Sequence, residues 1–160
     1  MLRKMKSIYL ESSVVSYLAA RPSRDLVVAG NQQVTRDWWD TRRGECELFV
    51  SDVVVEECAA GHPTAASERS AFLAGLPVLT TTEEAAALAD ALLSAMALPQ
   101  KAALDALHIG LAAVNGIDVL LTWNCAHIAN PFMMPQINAA CVEFGVIPPT
   151  ICTPLQLIEA

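Results

Sequence analysis

The stretch DALHIGLAAVNGIDVLLTWN, residues 105–124, joins a predicted helix to a predicted strand and carries polar side chains at both ends. Residues 101–115 form an alanine-rich helical pattern that ends at an Asn-Gly pair. The continuous apolar run IDVLLT that follows predicts a buried strand. Asp105 and His108 lie three residues apart on one face of the helix, and Asn124 follows the strand. The stretch therefore predicts one helix–strand unit of an α/β fold.

A second strand near the start of the chain also runs into a polar residue. SIYLESS, residues 7–13, predicts a buried strand that ends at Glu11. Paired strands lie about 4.8 Å apart, and ligands in open α/β sheets bind outside the carboxyl ends of the strands. Glu11 and Asn124 are therefore expected to share one acidic, oxygen-rich site with Glu57 and Asp105.

Short apolar runs alternate with helical patterns along the rest of the chain. This alternation predicts a parallel sheet covered by helices on both faces. The expected architecture is a three-layer α/β/α domain with a mostly parallel sheet of four or five strands, spanning residues 1–160. Further strands are predicted at 45–51 and 76–79 and at the sheet edge within 148–160, and helices at 12–20, 25–43, 53–60, 64–74, 80–96 and 135–144.

The composition limits the function classes. Apolar residues make up 54% of the chain, which argues against disorder. No apolar run approaches the roughly 18 residues of a membrane span, and the first residues do not form a signal-peptide pattern. The five cysteines are odd in number and contain no C-x-x-C pair, so reduced thiols of a cytoplasmic protein are expected.

The charge is unevenly distributed. The net charge is −7, yet residues 1–43 carry eight basic and four acidic residues, whereas residues 44–160 carry two basic and thirteen acidic residues. A basic edge beside an acidic site is compatible with a polyanionic substrate. An ordinary solvated helix surface explains the group Arg36, Arg42 and Arg43 at least as well.

The order of these polar residues resembles the PIN-domain nucleases and is most similar to the VapC toxins of toxin–antitoxin systems. The helix–strand stretch 105–124 is the most specific match, above all DALHIGLAA followed by LLTWN. The other matching segments are YLESSVVSYL at 9–18, VSDVVVEECAAG at 50–61 and CAHIAN at 125–130. The resemblance covers nearly the whole chain and implies a PIN-like fold.

The resemblance also implies a set of site residues. Glu11 stands where the family has its first aspartate, and Ser12 or Ser13 where it has a Thr or Ser. Glu57, rather than its neighbour Glu56, takes the place of the helix glutamate. Asp105 matches the third acid, His108 is a supporting residue, and Asn124 stands where many members have a fourth aspartate.

Two positions depart from the family pattern. Glu11 is one methylene longer than Asp, and Asn124 offers a carbonyl oxygen without a charge. Mg²⁺ demands near-ideal octahedral geometry, so both departures bear on a metal site. One reading is an active enzyme; the alternative is a catalytically degenerate PIN domain that binds RNA or a protein.

The function implied by the resemblance is that of a Mg²⁺- or Mn²⁺-dependent endoribonuclease, the toxin of a toxin–antitoxin pair, with a cognate antitoxin and a homodimeric state. Glu11, Glu57, Asp105 and Asn124 would hold the metal, whose bound water would attack the RNA phosphate. An α/β phosphohydrolase would instead need an aspartate nucleophile at the position of Glu11. The acidic surface favours a structured RNA such as a tRNA over bulk message. The candidates for RNA contact are Arg21, Arg24 and Trp123.

Overall fold

Five parallel strands form one sheet in the computed structural model, which describes residues 4–160. Each strand is a short run of mainly apolar residues, as is typical of a sheet covered on both faces. The spatial order is β3-β2-β1-β4-β5, and every neighbouring pair is parallel. The strands are β1 Lys6–Leu10, β2 Cys46–Ser51, β3 Val78–Leu79, β4 Val119–Leu121 and β5 Thr150–Cys152. The predicted α/β class and parallel sheet are confirmed, with five strands.

Within residues 4–160, eight α-helices connect and cover these strands, and polar side chains cap several of them. Glu11 caps α1, Asp25 caps α2 and Ser51 caps α3 by accepting backbone N–H groups of the first helical turn. Short 3₁₀ turns precede β2 and α6. The helices are α1 Ser12–Ala19, α2 Leu26–Arg42, α3 Asp52–Ala59, α4 Pro63–Phe72, α5 Glu83–Ala95, α6 Ala103–Val114, α7 Met134–Phe144 and α8 Pro154–Ile158.

The strand order divides the helices between the two faces of the sheet. The connections from β1 to β2 and from β2 to β3 run in one direction across the sheet, and those from β3 to β4 and from β4 to β5 run back. Right-handed crossovers therefore place α1–α4 on one face and α5–α7 on the other. Helix packing agrees, because α1 contacts α2, α3 and α4 while α5 contacts α6 and α7. The result is the expected three-layer arrangement.

The sheet changes direction at β1, and this brings the two polar strand ends together. The chain moves from β1 to β2 on one side, while β4 pairs with β1 on the other, with Leu10 opposite Leu121. Glu11 and Thr122 consequently leave the sheet side by side, and the backbone N–H of Glu11 donates to the Leu121 carbonyl at 3.0 Å. Such a switch point is where open α/β sheets bind ligands.

A glycine brings α5 and α6 into close contact on the face opposite α1. A Cβ atom built on Gly110 would lie 2.8 Å from the Ala85 carbonyl oxygen and 3.3 Å from the Ala89 nitrogen. Any larger residue would push the helices apart, because real Cβ contacts are not that short. Gly110 therefore sets the depth at which α6, the helix that carries Asp105 and His108, lies in the fold.

The remaining features agree with the composition. The core is a single cluster of buried apolar side chains that includes Ile8, Leu10 and Leu120 from the sheet. All five cysteines are free thiols. Within residues 4–160, no helix is both long enough and apolar enough to span a bilayer.

Candidate active site

Glu11 lies buried at the carboxyl end of β1, with one carboxylate oxygen held by three donors. Its Oε2 atom accepts the Ser13 N–H at 3.0 Å, the Thr122 hydroxyl at 2.9 Å and a short hydrogen bond from the Ser13 hydroxyl. Its Oε1 atom accepts no hydrogen bond within residues 4–160 and lies 4.0 Å from His108 Nε2. Glu11 thus caps α1 with one oxygen and presents the other to the site.

Glu57 reaches the same place from α3, while Glu56 points to solvent. The Oε1 atom of Glu57 accepts the Ser12 hydroxyl at 2.7 Å and contacts His108 Nε2 at 2.7 Å. Partial burial raises the pKa of Glu57, but the hydrogen bond and the electrostatic attraction from His108, together with the hydrogen bond from Ser12, outweigh it and leave the pKa below its ordinary value. Glu57 is therefore an ionised carboxylate at neutral pH.

His108 connects the two glutamates. It is fully buried on α6, and its Nε2 atom lies 2.7 Å from Glu57 Oε1 and 4.0 Å from Glu11 Oε1. Its other ring nitrogen, Nδ1, lies 2.7 Å from the Tyr9 hydroxyl, which in turn lies 2.7 Å from the Ser51 hydroxyl. The carboxylates of Glu11 and Glu57 thus lie next to the same imidazole ring, whose other nitrogen contacts the buried Tyr9 hydroxyl.

Asp105 lies one turn before His108 and is held by a different histidine. Its Oδ2 atom contacts His127 Nδ1 at 2.8 Å. Asn124 accepts the His127 N–H through Oδ1 at 3.0 Å. The amide oxygen of Asn124 thereby stabilises the turn that presents His127 to Asp105.

The candidates for RNA contact lie around α1. Trp123 is half-buried: its indole N–H donates to Thr35 at 2.8 Å, and its ring lies 5.7 Å from that of Tyr17. Arg24 is exposed. Arg21 is also exposed and lines a groove of about 570 Å³ between α1 and α4. The structure thus gives Trp123 a packing role and leaves both arginines accessible.

The side chains match a hard divalent cation in donor chemistry. Mg²⁺ and Mn²⁺ prefer oxygen ligands, and one oxygen each of Glu11, Glu57 and Asp105 accepts no hydrogen bond in the described part of the chain. Within residues 4–160, no three His, Cys, Asp or Glu side chains are gathered around one point as the ligands of an ion would be. The oxygen atoms of these side chains are of the type that Mg²⁺ and Mn²⁺ prefer. The carboxylates of the described residues do not surround one common point.

Several residues of the site do not stand out in the sequence. Tyr9, Ser51 and Thr122 occupy positions where strand residues usually serve the core. His127 lies in CAHIAN, which matches the family pattern, but a lone histidine in a loop carries no spacing signal. Only the pairing of distant elements shows that these residues hold Glu11, Glu57 and Asp105.

Comparison with known proteins supports the fold by structure alone. No protein-family model matches the sequence, and no curated protein matches it significantly. A structure of VapBC2 from Rickettsia felis, bound to a promoter DNA fragment, superimposes with a TM-score of 0.61 at 12% identity, over 92% of this chain and 98% of the other. VapC20 of Mycobacterium tuberculosis, a toxin that cleaves the sarcin-ricin loop, superimposes with a TM-score of 0.59 at 15% identity, over 75% of this chain and 92% of the other. The chain therefore has the PIN-like fold of the VapC toxins.

Proposed function

We propose that this chain is a Mg²⁺- or Mn²⁺-dependent endoribonuclease that acts in the cytoplasm as the toxin of a toxin–antitoxin pair. The observation that carries the proposal is the meeting of Glu11 and Glu57 at His108, at the switch point of a sheet with the VapC fold. Each of these carboxylates keeps one oxygen free of hydrogen bonds within residues 4–160. Ligand-type oxygens at this point are what metal-assisted phosphodiester hydrolysis requires.

The side chains divide the work in this proposal. Glu11, Glu57 and Asp105 would hold the cation, with Asn124 contributing an amide oxygen directly or through water. A bound Mg²⁺ or Mn²⁺ would supply a water of lowered pKa and a positive charge beside the phosphate. Ser13 and Thr122 keep Glu11 in place, and Ser12 and His108 do so for Glu57. No side-chain nucleophile is needed.

A path for the RNA strand follows α1. Ser12, which contacts Glu57, lies one turn before Ser16, and Ser16 lines the groove between α1 and α4. At 1.5 Å per residue, the groove begins about 6 Å along the helix from Ser12. Arg21, His62 and Arg69 also line it, together with the acidic Glu68. This mixed charge favours a defined RNA, such as a structured one, over tight nonspecific binding.

The two similar solved structures also support an antitoxin partner and an RNA substrate for this chain. The Rickettsia felis structure is a VapBC2 assembly, which supports a cognate antitoxin for a chain of this fold. VapC20 is named as a toxin that cleaves the sarcin-ricin loop, which supports a structured RNA as the substrate class. A homodimer remains a prediction from the family resemblance.

The experiment that tests the enzyme is RNA cleavage by purified protein with added Mn²⁺. We expect the Glu57→Gln and Asp105→Asn variants each to lose RNA-cleaving activity. The loss should exceed the roughly 10–100-fold that follows removal of a residue that only orients a metal ligand. Glu56→Gln is the matched control, because Glu56 is exposed on the same helix and should retain wild-type activity. Full metal-dependent cleavage by an Asp105→Ala protein would contradict the assignment of Asp105.

A second candidate is a PIN domain that binds RNA or a protein without cleaving it. The observations that favour it are the absence of a three-ligand cluster within residues 4–160 and the engagement of Asp105 by His127. Calorimetry with Mn²⁺ separates the two. An enzyme takes up Mn²⁺ in a manner that Glu57→Gln weakens, whereas a binding module gives no carboxylate-dependent heat.

A further inference from the structure

The first part of β2 leaves one edge of its backbone uncovered. β2 has six residues, and β3 pairs with the last two of them, Val50 and Ser51. The Val50 N–H donates to the Pro77 carbonyl on the β3 side, and residues two apart in a strand direct their backbone groups to the same side. Leu48 therefore directs its N–H and its C=O away from β1, and neither has a partner within residues 4–160. Such an edge is a template for a further strand.

The turn before β3 explains why this edge is open. Pro77 precedes the strand and has no N–H to offer to a sheet. The Leu76 N–H is used within the turn, and Gly75 has a positive φ of 77° that suits glycine. The chain therefore turns here, and β3 begins only at Val78. In the described part of the chain, no strand lies beside Cys46–Phe49 on this side.

An apolar groove of about 720 Å³ lies along the open edge. Trp39 of α2 and Phe72 of α4 line it and pack edge to face, with 5.6 Å between the ring centroids. Leu76 and the β2 residues from Cys46 to Phe49 also line it. Because side chains alternate between the faces of a sheet, every second side chain of a strand added beside β2 lies on the face of these rings.

Arg43 gives the groove a charge preference. Its guanidinium carbon lies 4.4 Å from the centroid of the Trp39 ring, which is a cation–π contact. Arg43 is exposed and forms no ion pair within residues 4–160, so its N–H groups are available to a carboxylate. Glu47 also lines the groove and would repel an acid placed beside it. A carboxylate is therefore expected at the Arg43 end.

We propose that the open edge of β2 and this groove bind an extended peptide segment of a partner protein. The segment pairs with the backbone of Leu48, places apolar side chains beside Trp39 and directs a carboxylate to Arg43. Backbone pairing supplies affinity and the groove supplies side-chain selectivity, as in other cases of strand addition. At about 3.3 Å per residue, a segment of about four residues spans Cys46–Phe49.

This peptide site is separate from the candidate active site. Cys46 lies opposite Lys6 at the amino end of β1, whereas Glu11 follows the carboxyl end of β1. Peptide binding therefore does not depend on whether the chain cleaves RNA. A second copy of the chain is a poorer occupant, because two-fold pairing of this stretch with itself brings Glu47 of each copy close to the other, and like charges across paired strands are destabilising.

Two synthetic peptides of the same composition are the probes, because the direction of the added strand is open. They are acetyl-Glu-Thr-Val-Thr-Val-amide and acetyl-Val-Thr-Val-Thr-Glu-amide, in which the acid and the valines share one face of a strand. NMR of the ¹⁵N-labelled full chain should show a saturable shift and slowed hydrogen exchange of the Leu48 amide with one of them. The fully N-methylated form of that peptide should bind at least about tenfold more weakly, because it has no N–H to donate.

Two substitutions in the groove test the charge preference. Arg43→Gln should weaken binding of the better peptide by about fivefold, as expected for an exposed ion pair. Glu47→Gln is the matched control, because it lies in the same groove with the opposite charge and should not weaken binding. Equal weakening by the two substitutions would refute the role of Arg43.

Two results would overturn the peptide site itself. One is the absence of any shift at Leu48 with both peptides at millimolar concentration, including the case in which only other residues respond. The other is a shift of the Leu48 amide that grows with protein concentration in the absence of peptide, together with a dimer in sedimentation, because a second copy would then occupy the edge. Both readouts are independent of RNA cleavage, so a failure of the proposed function would leave them unchanged.

Discussion

Thr122 shows how closely the site depends on single residues next to its carboxylates. It is fully buried at the end of β4, donates to Glu11 Oε2 at 2.9 Å and accepts the Asn124 N–H at 2.9 Å. One hydroxyl thus joins the two strand ends that the sequence places side by side. Without it, a buried carboxylate and a backbone N–H would each lose a partner.

We therefore expect Thr122→Val, which keeps the shape of the side chain, to lower the free energy of unfolding by about 2 kcal/mol. Urea denaturation measures the change. Thr41→Val is the control, because its hydroxyl donates to the Asp37 carbonyl at an exposed position and the change should stay within about 0.5 kcal/mol. Equal effects of the two substitutions would show that the Glu11 contact contributes no stability.

The Asp52 carboxylate joins the start of α3 to the segment that follows β3. It accepts the Thr81 N–H at 2.8 Å and the Thr81 hydroxyl at 2.7 Å, which ties the segment after β3 to the start of α3. Partial burial raises its pKa, but the hydrogen bonds from Thr81 and Val53 outweigh it and place the pKa below the ordinary value of 3.8. A carboxyl group with a lowered folded-state pKa stabilises the fold above its unfolded-state pKa and loses that contribution as the pH falls through the folded-state pKa.

The stability gap between the wild-type protein and Asp52→Asn should therefore be largest at neutral pH and shrink as the pH falls below about 4. Urea unfolding at several pH values measures it. Asp90→Asn, at an exposed position on α5, should change stability little throughout. A gap that stays constant down to acidic pH would exclude a charge-dependent contribution from Asp52.

Two glycines that lie in helices should respond in opposite ways to replacement by alanine. Gly110→Ala should lower the free energy of unfolding by about 1–3 kcal/mol, because its Cβ would overlap the backbone of α5. Gly30→Ala should raise it by up to about 1 kcal/mol, because Gly30 lies in α2 with no atom near its Cβ and alanine favours a helix. Thermal denaturation of both variants checks the contrast, and a neutral Gly110→Ala would mean that the helices separate freely.

The charge of the whole molecule predicts how RNA binding responds to salt. Each phosphate neutralised on a single strand contributes about 0.7 to the slope of log affinity against log salt. If Arg21 and Arg24 both contact RNA, replacing both by alanine should reduce that slope by about 1.4. Filter binding over a salt series measures it.

A double substitution of Lys4 and Lys6 is the control for this measurement. Both are exposed at the amino end of β1, on the opposite edge of the sheet from Glu11, and their loss should leave the slope unchanged. A slope that responds equally to both pairs would show that RNA binds without reference to the candidate site.

Several elements were predictable because their signals are local. The apolar run IDVLLT and its Asn-Gly boundary predicted β4, and the helical pattern at 80–96 predicted α5. The alternation of strands and helices predicted a parallel sheet, and the structure confirms it with five strands. Asp105 and His108 were expected on one helix face because helix geometry relates them over one turn.

The partners of the site residues were not predictable, because each contact joins elements far apart in the chain. Tyr9 and His108 are 99 residues apart, and Glu57 and His108 are 51 apart. Hydrophobic periodicity reports which face of an element is buried and carries no information on which buried hydroxyl meets which imidazole. Local patterns in the sequence were enough to predict the α/β class, the order of the elements and the acidic residues at the carboxyl edge of the sheet. The meeting of Glu11 and Glu57 at His108, and of Asp105 at His127, is visible only in the folded chain, because the packing of α6 against the sheet sets which side chains come within hydrogen-bonding distance.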